Sequence, residues 1–119
     1  MLSQRDKDKA MSDTAYYSDL MREAFPKARY GAAKAAIYAA YRFMGPKVQK
    51  PFTERRARSI WEGTARRIDA EEAEVLRLAK LEEAKREQRE LRERLSELDA
   101  TLAALDARQD RYLGSQASA

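Results

Sequence analysis

The chain has no cysteine and no histidine. That excludes disulfide scaffolds, thiol nucleophiles, zinc sites built on those residues, and imidazole acid–base chemistry. A chain without cysteine suits a reducing compartment. Only four glycines and three prolines occur in 119 residues, and β-branched side chains are few. Little here interrupts a helix and little favours a strand, which points to an all-α protein. No apolar run approaches the ~18–20 residues that span a bilayer. The polar start, Met-Leu-Ser-Gln-Arg-Asp-Lys-Asp-Lys, holds no apolar signal core. The expectation is a cytoplasmic protein without membrane contact. Phosphate-binding glycine loops, the paired-histidine metalloprotease helix and the nucleophile elbow are all missing. Carboxylate pairs such as Glu71–Glu72 and Glu82–Glu83 are expected on solvated helix, where nothing shifts their pKa. The chain is therefore not expected to be an enzyme or to hold a cofactor or metal.

What the chain has in abundance is charge. Charged residues make up 37% of it, the net charge is +4, and the mean hydropathy is −0.80. The two signs are segregated. Residues 27–67 carry eleven basic and two acidic side chains, net +9, whereas residues 1–26 are net −1 and residues 68–119 net −4. Cations gathered in one segment attract a polyanion far better than the same charges scattered. Nucleic acid is the first reading of that field. An acidic protein partner is the second, and a merely solubilising surface the third.

In chain order, residues 1–12 are polar and mixed in charge, so a flexible start is expected. Capped by Ser12 or Asp13, a first helix runs to about Phe25, with Tyr16 or Tyr17, Leu20, Met21 and Ala24 at helical spacing and Pro26 as its stop. Residues 27–44 read as a second helix. Tyr30, Ala33, Ile37, Ala40, Tyr41 and Met44 form its apolar face, while Lys34, Tyr38 and Arg42 form a polar stripe. Gly45-Pro46 ends it, and a proline-bounded connection carrying Lys47 and Lys50 follows.

The segment 52–68 is the most basic part of the chain, with five arginines against two glutamates. Thr53 is placed to cap a helix start, and Gly63 to end that helix in the left-handed conformation. Ala57, Ile60, Trp61 and Thr64 share one stripe of this helix. Arg55, Arg56, Arg58, Ser59 and Glu62 lie off it. The order of an apolar helix, a connection and a basic helix matches the helix-turn-helix plan, although the connection is longer than the usual three to four residues. A break is expected between Gly63 and Asp69, beside Arg66 and Arg67. Asp69 and Glu72 then have the spacing of a capping box.

From Asp69 to Leu113 nothing breaks a helix. From Leu81 to Tyr112 the core-type positions step by three and four without exception, through Ala84, Gln88, Leu91, Leu95, Leu98, Leu102, Leu105 and Gln109. That is a heptad seam. In a parallel pair of chains Glu87 would face Arg92 and Arg94 would face Asp99, both attractive. Lys80 would oppose Lys85, so tight pairing starts after them. Val75, Leu76 and Leu78 fall outside this register and are expected to pack on the head. A solitary helix held by pairs such as Glu82–Arg86 and Glu90–Arg94 is the rival reading. Residues 114–119 are expected to be a flexible tail.

The stretch Arg55-Arg-Ala-Arg-Ser-Ile-Trp-Glu-Gly-Thr-Ala-Arg-Arg-Ile-Asp-Ala-Glu-Glu72 resembles part of small bacterial helix-turn-helix DNA-binding proteins of prophage or mobile-element type. The resemblance spans about residues 28–78. It implies a small DNA-binding regulator, with Trp61 structural and Arg55, Arg56, Arg58, Arg66 and Arg67 contacting phosphates or bases.

Together these features describe a flexible start over residues 1–12 and a basic helical head over 13–68. One long helix forms a coiled coil over 69–113, and the tail follows. The expected function is binding of double-stranded DNA as a homodimeric regulator. Lys47, Lys50, Arg55, Arg56, Arg58, Ser59, Arg66 and Arg67 would meet the nucleic acid, and Leu81, Leu91, Leu95, Leu98, Leu102 and Leu105 would join two copies. Two-fold pairing would favour half-sites about 34 Å apart or a multiple. The alternative is a coiled-coil scaffold whose basic head docks on an acidic protein.

Overall fold

A computed structural model describes residues 4–117, with side chains for 13–116. It is all-helical, with no strand among the described residues: α1 (Gln4–Ala24), α2 (Lys27–Tyr30), α3 (Ala33–Met44), α4 (Glu54–Glu62) and α5 (Ala70–Ala117). None of these helices is long and apolar enough to cross a membrane. The chain divides into two compact units, Met1–Ala84 and Lys85–Ala119.

The first unit is built on local signals that the sequence displays openly. Pro26 separates α1 from α2. The expected single helix over 27–44 is instead two, because Gly31 sits at φ 88° and its N–H closes the first piece onto the Lys27 carbonyl. Only glycine takes that conformation without steric cost. After α3, a 3-10 turn at Gly45–Lys47 leads into extended chain. Thr53 then caps α4, accepting from the Arg56 N–H at 3.1 Å, and Gly63 at φ 76° ends it. The break before α5 is present as expected.

The core of this unit draws on α1, α3, α4 and the start of α5. Leu20, Met21, Ala24 and Phe25 meet Ala36, Ile37, Ala40 and Met44, then Ala57, Ile60 and Trp61, then Val75, Leu76 and Ala79. Tyr30, Ala33 and Tyr41 pack against its margin. Small alanines on α3 and α4 let the backbones approach closely. Each full burial of a side chain such as Ile60 contributes about 1.5–3 kcal/mol before entropy is counted. Thr64, assigned to the apolar stripe of α4, lies beyond the helix end and is exposed. Leu78, expected to pack on the head, is 39% exposed. It lies two positions from Leu76, which is fully buried, so the two fall on different sides of α5.

The second unit is the remainder of α5. The helix continues through Gly114 to Ala117 instead of ending at Leu113. α1 begins at Gln4, which corrects the expected helix start at Ser12 or Asp13 and the flexible start over 1–12; positions 1–3, and the side chains of 4–12, lie outside the described residues. The last positions of the expected tail, 118 and 119, lie outside them too.

Candidate functional site

α4 is held by its apolar underside and by both of its ends. At its C-terminal end the Trp61 carbonyl accepts from the Ser18 hydroxyl at 2.7 Å and from Arg22 through Nε at 3.0 Å and Nη2 at 2.8 Å. The Arg22 guanidinium also lies over the Trp61 ring, 5.6 Å from its centroid. A cation from α1 thus answers the orphan carbonyls of a helix terminus. Gly63, Thr64 and Ala65 complete the stop, their N–H groups returning to Ile60 or Ser59.

At the other end stands a cluster of charged groups. Glu72, buried, takes a two-pronged contact from Arg56, Nε to Oε2 at 2.8 Å and Nη2 to Oε1 at 2.7 Å. The same guanidinium donates to the Arg67 carbonyl at 2.7 Å. Glu72 also accepts from the Asp69 N–H at 3.0 Å, the reach-back half of the expected capping box. The Asp69 carboxylate is turned to Lys50 instead, and Lys50 also lies 3.4 Å from Glu72. Nearby, the Gln49 N–H donates to Glu71. The electrostatics follow from this geometry. The Lys50 hydrogen bond holds Asp69 below the ordinary carboxylate range, and the same bond raises Lys50. Burial pushes Glu72 upward, but the hydrogen bonds from Arg56 and the Asp69 N–H outweigh it, and the net shift is downward.

The eight residues expected to meet nucleic acid are therefore not equivalent. Lys50 and Arg56 face Asp69 and Glu72, Arg56 tying the start of α5 to α4 and Lys50 tying it to the connection before α4. Ser59 donates its hydroxyl to the Arg56 carbonyl at 2.9 Å, and its own carbonyl closes the turn after α4. Lys47 lies over the Phe43 ring, 3.9 Å from the centroid. Arg67 is exposed, with Asp69 at 3.7 Å. Arg66 lines a cleft with Thr14, Ser18, Arg22 and Gly63.

Arg55 and Arg58 are brought together. Both are exposed and line one open depression with Ser59, Thr64, Glu54, Glu62 and Lys34 of α3. Among the described residues neither arginine forms an ion pair. Lys34 was legible as part of the α3 polar stripe but not as a neighbour of α4. The roles of Ser18 and Arg22 had no sequence signal, since their partner is a backbone carbonyl about forty positions away.

The seam leucines form the second candidate surface. Leu91, Leu95, Leu98, Leu102 and Leu105 are 44–69% exposed, and Leu81 is 51% exposed. Every described side chain from Lys85 onward is exposed.

Comparison with protein families, with curated proteins and with solved structures finds no match for this chain.

Proposed function

We propose that the protein binds double-stranded DNA as a homodimer and acts as a small regulator of helix-turn-helix type. The observation that carries this reading is the outer side of α4. Arg55 and Arg58 share a depression with Lys34, form no ion pair among the described residues, and belong to a segment of net charge +9. Phosphate contact by such cations releases counterions, and each contact contributes about 0.9 to the salt slope of binding. Lys47, Arg66 and Arg67 add positive charge at the margin. Lys50 and Arg56 serve the fold that presents them.

The homodimer reading rests on the leucine seam. Each seam leucine that a partner covers contributes up to about 1.5–3 kcal/mol, and an uncovered row of them gains nothing. The Glu87–Arg92 and Arg94–Asp99 pairs favour a parallel partner of the same sequence. A scaffold role is the second reading. In it the same outward cations dock on an acidic protein while the coiled coil recruits a partner.

The test is a salt titration of binding to duplex DNA by the full chain and by Arg55→Ala/Arg58→Ala. Arg56 stays native in this variant, because its loss would strand the buried Glu72. The expected result is salt-dependent binding by the native chain and a slope lower by about 1.8 in the variant. A native chain that shows no affinity for duplex DNA at low salt removes the reading.

A further inference from the structure

The exposed side of α3 carries a row of three residues, of which only Lys34 reaches the α4 site. Lys34, Tyr38 and Arg42 recur every fourth residue, and all three are exposed, while Ala36, Ile37, Ala40 and Met44 turn into the core. Tyr38 is 49% exposed, whereas the same unit buries Phe25, Phe52 and Trp61. Its ring is kept in position by Tyr41, with centroids 6.0 Å apart. The row links two hollows. Lys34 lines the depression that holds Arg55 and Arg58. Arg42 lines another, with Tyr41, Gly45, Pro46 and Phe52. The cations of the row form no ion pair among the described residues.

We infer that Lys34, Tyr38 and Arg42 form a second contact line that follows the phosphate backbone of the DNA duplex beside α4. The inference rests on the nucleic-acid reading above and adds to it a set of positioning contacts on a different helix. From Lys34 to Arg42 the row spans roughly 12 Å at 1.5 Å per residue. One DNA strand carries a phosphate for about every 3.4 Å of axis, so the row matches a few successive phosphates. Alternation of cation, hydroxyl and cation suits that target. Lys34 and Arg42 neutralise charge, and the Tyr38 hydroxyl donates one hydrogen bond to a phosphate oxygen. Such contacts orient a protein on the duplex without reading bases. An acidic protein would meet the same cations but would not present oxygens at a regular repeat.

The experiment compares four full-length proteins on one mixed-sequence DNA duplex across a range of salt: native, Arg55→Ala/Arg58→Ala, Lys34→Ala/Arg42→Ala, and Tyr38→Phe. The substituted side chains are exposed, and thermal unfolding checks that each variant keeps the native transition. The expected result for Lys34→Ala/Arg42→Ala is a salt slope lower by about 1.8. Tyr38→Phe is expected to weaken binding about tenfold with the slope unchanged, because it removes a hydrogen bond to a charged acceptor and no charge. If the α4 variant loses affinity while both α3 variants bind as the native chain does, the second line is overturned and the α4 reading survives. If Tyr38→Phe binds normally but a fifth protein, Tyr38→Ala, does not, the ring stacks instead of donating, and the backbone assignment is overturned. Absence of binding by the native chain itself removes both readings. Equal native affinity for polyglutamate and for the duplex assigns the face to an acidic protein and overturns the inference.

Discussion

One helix takes part in two regions that treat the same kind of residue in opposite ways. In its first part, Val75, Leu76 and Ala79 are buried against the head. In its later part, Leu91, Leu95, Leu98, Leu102 and Leu105 come at higher density and none is buried. Among the described residues the head core holds two buried leucines, Leu20 and Leu76, beside methionines, alanines and aromatics. A leucine-rich seam is thus no guarantee of a core. What distinguishes the regions is that the first meets the apolar surface of the head, whereas every described side chain from Lys85 onward is exposed.

The sharpest way to break this comparison is to charge the seam. Leu98→Lys with Leu102→Lys should convert a dimer to a monomer in light scattering while leaving head unfolding unchanged. A native chain that is already monomeric at high concentration would end the self-pairing idea. The converse change lies in the head. Trp61→Ala should destabilise it by about 3–5 kcal/mol through lost burial and a residual cavity. Loss of the Arg22 stacking partner adds to that cost. Denaturant melts read the effect, and a change below 1 kcal/mol would mean that the α4 underside is not anchored as described.

Next in size is the charged clamp at the start of α5. Arg56→Ala should cost about 3 kcal/mol, because it leaves Glu72 buried without its fork of donors. Pairing it with Glu72→Gln should recover part of that loss, and strictly additive effects would contradict the direct coupling. The clamp also makes a prediction about pH. Asp69 and Glu72 are depressed in the folded chain. Their contribution is therefore complete above the ordinary carboxylate range and is lost as pH falls through their folded values. Lys50 is raised, so its contribution is complete below the ordinary lysine value and is lost as pH rises through the folded one. Stability measured from neutral pH downward should fall more steeply in the native chain than in Glu72→Gln. The smallest effect expected is at the helix cap, where Thr53→Ala should cost about 1 kcal/mol and Thr53→Ser almost nothing.

Much of the head was readable because its signals are local. Thr53 and Gly63 fix the two ends of α4 through bonds to residues within a few positions. The reach-back bond from Glu72 to the Asp69 N–H is likewise contained in four residues. Gly31 is local as well, yet the alanines around it outweigh one glycine in any reading by propensity. The fates of Lys50 and Arg56 were not readable. Their carboxylate partners lie sixteen or more positions away, and sequence gives no measure of which exposed-looking cation will meet a buried acid.

The amino-acid order by itself settled the all-helical class, the two caps of α4 and the break before α5. All of these follow from backbone sterics and from periodicity within one or two turns. The folded arrangement alone decided which cations remain outward, that Lys34 stands beside Arg55 and Arg58, and that Arg22 closes the end of α4. Those outcomes depend on which distant surfaces meet, because burial and charge pairing are properties of neighbours in space.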